Sequence, residues 1–112
     1  MTYIEAVKTC LSKSIEIQGR ASRSEYWWFF LFFIIVAVIL SFTAQINQLF
    51  QVLSLIVYLV LYIPSFTVSV RRLHDLDKSG WFLLIGLIPI IGAILLIYWF
   101  VSPGTDGRNR FG

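Results

Sequence analysis

Apolar and polar positions alternate at two scales along this chain. In the opening segment Ile4, Val7, Leu11 and Ile15 recur at helical spacing while Lys8, Lys13 and Glu16 fall elsewhere on the wheel, which predicts an amphipathic helix over residues 3–18 ended by Gly19. Beyond it the pattern coarsens into long apolar blocks: no Asp, Glu, Lys or Arg occurs from Tyr26 to Val70, nor from Ser79 to Thr105. As one helix the first block would measure about 67 Å, roughly twice the hydrocarbon thickness of a bilayer, so it must fold back on itself.

Local signals divide the blocks. Ser22-Arg23-Ser24-Glu25 is a capping-box pattern before an apolar run, with Ser22 accepting from the Glu25 amide and the Glu25 carboxylate reaching back. It opens a span over 23–44, with Tyr26, Trp27 and Trp28 at interfacial depth. Thr43, Gln45, Asn47 and Gln48 form an uncharged polar turn, and a second span follows over 49–72, where Pro64 implies a kink and Ser65, Thr67 and Ser69 supply hydroxyls for freed carbonyls. The third apolar segment, 81–101, carries Gly86, Pro89 and Gly92 at its centre, which predicts a break near Pro89. Residues 102–112 read as a turn-rich tail. The expected fold class is therefore all-α: a single polytopic helical membrane domain over 1–112, with an interfacial amino-terminal helix and three apolar segments.

Composition agrees: 112 residues are 58% hydrophobic and only 13% charged, with a mean hydropathy of +0.81. The amino-terminal helix either packs on its own bundle or lies in the headgroup plane. The first 25 or so residues lack the unbroken apolar centre of a signal peptide, so the first span serves as the insertion signal and is retained.

Charge sets orientation. Lys8, Lys13, Arg20 and Arg23 precede span one, Arg71, Arg72 and Lys78 follow span two, and the intervening turn has no basic residue, which places the amino terminus in the cytoplasm. Three full spans would leave Arg108 and Arg110 outside, whereas a re-entrant hairpin broken at Pro89 would keep every basic residue inside. Half-helices of eight to ten residues would reach only about 15 Å, so length favours three spans.

The net charge of +3 points to anionic lipid headgroups rather than nucleic acid, because no base-reading motif accompanies it. Cys10 is the single cysteine and His74 the single histidine, so neither an internal disulfide nor a metal-ligand cluster is expected, and no cofactor is implied. No nucleophile elbow or intramembrane carboxylate pair occurs, so no catalytic residue is assigned and an enzyme is not expected.

The ionisable residues that remain are candidates for binding. Arg20, Arg23, Glu25, Arg71, Arg72, His74 and Asp75 would gather at one membrane face, with Arg71 and Asp75 meeting at i,i+4 and Glu25 pairing with an arginine across helices. They form either a charge-balanced connector or a polar site in which guanidiniums hold a phosphate or carboxylate and His74 relays protons. The tail residues Arg108, Asn109 and Arg110 are a second candidate, an anion-binding loop, against the simpler reading of a flexible terminus.

Three border motifs carry a resemblance: Gly19-Arg20-Ala21-Ser22-Arg23-Ser24-Glu25-Tyr26-Trp27, Arg71-Arg72-Leu73-His74-Asp75, and Pro103-Gly104-Thr105 with Asn109-Arg110-Phe111-Gly112. Together with Ser79-Gly80-Trp81 and Ile88-Pro89-Ile90-Ile91-Gly92 they resemble bacterial domain-of-unknown-function family 805, small inner-membrane proteins. The resemblance implies the bacterial cytoplasmic membrane and brings no established reaction. The expectation is a non-enzymatic module that associates with lipid, a membrane partner or a second copy, the alternative being a small oligomeric channel or transporter subunit.

Overall fold

The computed structural model describes residues 2–112. Its helices run in the order α1 (Tyr3–Ser12), α2 (Arg23–Thr43), α3 (Gln48–Asp75), a 3-10 helix (Gly80–Leu87) and α4 (Ile91–Val101). Among the described residues there is no strand.

α1 stops well short of Gly19. The Ser12 hydroxyl donates to the Thr9 carbonyl and the Ser14 hydroxyl to that of Leu11, so side chains compete for the last turn and the chain leaves the helix. Its buried face is also not the expected stripe. Ala6 and Cys10 are fully buried against α2, while Ile4, Leu11 and the 89% exposed Ile15 face outward. The small residues let α1 lie across the first turn of α2, where Tyr3 meets Trp28 edge-on at 5.7 Å.

α2 and α3 are the two helices long and apolar enough to cross a membrane. Ser22 caps α2 by accepting from the Glu25 amide at 3.2 Å, and Asn47 caps α3 by accepting from the Phe50 amide at 3.1 Å. The Glu25 carboxylate, expected to reach back, turns instead into the interior toward Arg71. α3 passes through Pro64 and continues to Asp75, so Arg71, Arg72, His74 and Asp75 are all helical.

The third apolar segment is a hairpin, broken near Pro89 as Gly86, Pro89 and Gly92 predict. Gly80, at its start, faces Val70, and Phe100, at its end, gives its carbonyl to Arg72, so both ends lie beside the carboxyl-terminal turns of α3. The limbs are the 3-10 helix and α4, joined through Ile88 to Ile90. Pro89 and Ile91 close a γ-turn, with the Ile91 amide donating to the Pro89 carbonyl at 2.7 Å and Ile90 forced to φ 66°. The limbs touch where Gly92 lacks a side chain: a Cβ there would run into the Ile85 carbonyl. Phe82 and Trp99 seal the open end edge-on at 5.6 Å.

Candidate functional site

The end of the molecule where α3 stops and the hairpin begins is built from arginines. Arg71 and Arg72 are adjacent on a helix and therefore diverge, each with no exposed surface. Arg71 turns toward α1 and α2, where its Nη1 pairs with the Glu25 carboxylate. Cys10 Sγ donates to the same carboxylate at 3.6 Å, so α1, α2 and α3 meet at one buried ion pair. Burial, and then the neighbouring Glu25 charge, push the Cys10 thiol up to about 12. The Nε and Nη2 of Arg71 have no hydrogen-bond partner among the described residues.

Arg72 turns toward the hairpin. Its Nε donates to the Phe100 carbonyl at 3.2 Å, its Nη2 to the Ser102 carbonyl, and its Nη1 to Asp75 at 2.6 Å and to the Ala21 carbonyl at 3.3 Å. Trp27 Nε1 donates to Phe100 O at 3.1 Å and Arg23 to Val101 O at 3.3 Å. The last carbonyls of α4, which no helical amide can reach, thus receive one indole and two guanidiniums, the charge that suits a helix carboxyl terminus.

Arg20 closes the rim. It donates to Asp75 Oδ1 at 2.9 Å, to Thr105 O at 2.6 Å and to the carbonyls of Gly107 and Gly112. Asp75 is therefore shared by Arg20 and Arg72, and its partner on its own helix is Arg72 at i,i+3 rather than Arg71 at i,i+4. Gly104 is needed beside it, since a Cβ there would overlap the carboxylate. His74 Nδ1 lies 2.9 Å from the Gly19 carbonyl, and its ring stacks on Phe111 at 4.0 Å with an interplanar angle of 1°.

Of the residues singled out from sequence, Arg20, Arg23, Glu25, Arg71, Arg72, His74 and Asp75 come together in this cap. The tail residues do not converge into an anion cradle. Arg108 is exposed, Asn109 donates to the His74 carbonyl at 2.8 Å, and Arg110 pairs with Asp77 at 3.2 Å. Cys10, Asp77, Phe111 and the accepting carbonyls of α4 were not among the candidate site residues. Cys10 sits four residues after Ala6, a small-residue spacing that marks close helix approach; the carbonyls leave no mark in side-chain sequence. Among the described residues no group of three or more His, Cys, Asp or Glu is placed to hold a metal ion.

Chemically the cap neutralises and orders. The guanidiniums of Arg20, Arg23, Arg71 and Arg72 each address an oxygen of the same chain. The groove between α2 and α3 is lined by Tyr26, Phe29, Phe33, Tyr62, Ser65 and Ser69 and encloses about 200 Å³ of largely apolar space.

Comparison with known proteins gives the same class of molecule. The chain is 38% identical to the inner membrane protein YhaI of Escherichia coli K12, with 91% of this chain and 87% of YhaI covered. It is 36% identical to the inner membrane protein YhaH of the same organism, with 91% and 88% covered. No solved structure matches at a significant level. Nothing in these relatives' names points to enzymatic activity. The model of the family described as protein of unknown function (DUF805) matches residues 14–112, the stretch that holds the arginine cap, both long helices and the hairpin, and the chain belongs to that family.

Proposed function

We propose that this chain is a non-enzymatic module of the bacterial inner membrane that crosses the bilayer twice, with both termini cytoplasmic and the hairpin entering and leaving from that side. The observation that carries this reading is the arginine cap itself. The basic residues lie in α1 and the turns after it, the start of α2, the end of α3 with its connector, and the tail, all at one end, whereas the turn at the other end offers only the amides of Gln45, Asn47 and Gln48. Lys and Arg are retained on the cytoplasmic side, so the cap belongs there.

Because the cap arginines are matched by the chain's own oxygens, association falls to the outer surface. α1 presents Ile4 and Leu11, with Ile15 and Ile17 beyond it, beside exposed Lys8, a combination suited to the boundary of anionic headgroups and acyl chains. A membrane partner or a second copy would dock on the same apolar flank. A channel has less support, since the α2–α3 groove is largely aromatic and carries no Asp, Glu, Lys, Arg or His side chain.

Compartment-specific reporters fused at each terminus and inserted at Gln45 test the topology. Cytoplasmic signals from both termini and a periplasmic signal from the turn are expected; termini on opposite sides overturn it. Liposomes holding the purified protein are expected to show unchanged ion flux. Selective flux that disappears in Arg72→Gln, with folding retained, would replace the module reading with the channel.

A further inference from the structure

The hairpin makes the two halves of the molecule unequal in width. Eight residues of 3-10 helix rise about 16 Å and the eleven of α4 about the same, whereas α2 rises about 31 Å. The hairpin therefore ends near the middle of a hydrocarbon layer of about 30 Å. A section through the cap half cuts α2, α3 and both limbs, with α1 at its rim; a section through the far half cuts α2 and α3 alone. Two extra helices of about 10 Å diameter add on the order of 160 Å² to one leaflet.

The added area faces lipid. Trp81, Leu87, Ile90, Ile91 and Ile94 are among the most exposed residues of the chain, Trp81 and Leu87 each at 79%. They are bulky and apolar, with neither the small-residue seam nor the polar side chains that join helices inside membranes. The two glycines that would supply such a seam, Gly86 and Gly92, already face the opposite limb. Acyl chains, not a second copy, are the occupant this surface fits.

We propose that the chain is a leaflet wedge that prefers bilayers whose cytoplasmic leaflet is convex. In a bent bilayer the convex leaflet has more area per lipid to cover, and a protein wider in that leaflet fills it at lower bending cost. The exposed Ile4, Leu11, Ile15 and Ile17 at the rim act in the same sense, since shallow apolar insertion is curvature-sensitive. The inference rests on the topology proposed above, and its test separates the two.

The full chain with a carboxyl-terminal tag is reconstituted into giant vesicles of phosphatidylethanolamine and phosphatidylglycerol, from which narrow tubules are pulled. An impermeant dye added outside marks molecules with the cap outward, in the convex leaflet of the tubule, and dye enclosed within marks the inverse population. Cap-outward molecules are expected to be enriched in the tubule by about twofold or more and cap-inward molecules depleted, as a two-state preference requires. Equal partition of both populations, or equal enrichment of both, overturns the wedge. Spots with the brightness of two copies that become single in the Ile91→Ser, Ile94→Ser variant would assign the hairpin flank to self-association and overturn lipid as its occupant. An amino-terminal tag reached from the opposite side overturns the topology instead.

Discussion

The two ends of the α2–α3 pair are held by different physics. At the cap, three helices, a hairpin and the tail converge on ionic and carbonyl contacts from Arg20, Arg71 and Arg72. Towards the far end the same helices meet through rings, Phe33 against Tyr58 at 6.3 Å and Tyr62 at 5.6 Å, and one hydrogen bond from the Tyr58 hydroxyl to the Ala37 carbonyl at 3.2 Å. Apolar burial gains little between helices already in hydrocarbon, so specificity must come from polar contacts and close packing. This chain concentrates the polar contacts at the end where helix termini and their unpaired backbone groups meet.

If the cap dominates stability, its central pair should show the largest effect. Arg71→Met leaves Glu25 buried without its partner and is expected to cost about 3 to 5 kcal/mol in detergent unfolding, most of which returns in the double variant with Glu25→Leu. A small loss in the single variant would mean that the far end carries the fold. Asp75→Asn removes the charge shared by Arg20 and Arg72 and is expected to cost about 2 kcal/mol. The tail should become protease-sensitive in that variant, and an unchanged cleavage rate would detach the tail from the cap.

The far end supplies the contrast. Asn47→Ala removes the α3 cap and is expected to cost about 1 kcal/mol, read in the same unfolding assay. At the hairpin tip Ile90→Gly relieves the left-handed backbone and is expected to stabilise by about 1 kcal/mol, since a branched side chain is strained at φ 66°. A loss there would show that the Ile90 side chain matters more than its backbone.

The last effect is a titration, silent at neutral pH and visible only on the alkaline side. The Cys10 thiol is raised from its ordinary 9.0 to about 12, so the folded chain keeps the proton longer than the unfolded one. The stability it contributes is complete below about pH 9 and declines as pH rises towards about 12. Cys10→Ala should flatten that alkaline limb, and rapid maleimide labelling of the folded protein at neutral pH would contradict the buried thiol.

Much of this was readable in advance, and the exceptions are instructive. The charge-free blocks located both long helices because ionised groups are costly in hydrocarbon, and Ser22 announced the start of α2 through its capping chemistry. The break near Pro89 was legible from Gly86, Pro89 and Gly92, but the way the two limbs close on each other was not. Arg72, Arg23 and Trp27 cap its carbonyls and Gly92 lets its limbs touch, so the ends of short limbs are satisfied within the chain. The cap's membership was legible from charge blocks, but its pairing was not, because Arg71 and Arg72 are equivalent in sequence and are told apart only by what packs on each side of α3.

The reach of Arg72 also orders events during biogenesis. Its guanidinium emerges from the ribosome before the carbonyls it will hold, 28 residues ahead of Phe100 and 30 ahead of Ser102. Until those residues are translated Arg72 has Asp75 and the Ala21 carbonyl as partners but lacks the chain end of α4. The contacts that close the hairpin over Arg72 can therefore form only after the residues that end α4 have been made.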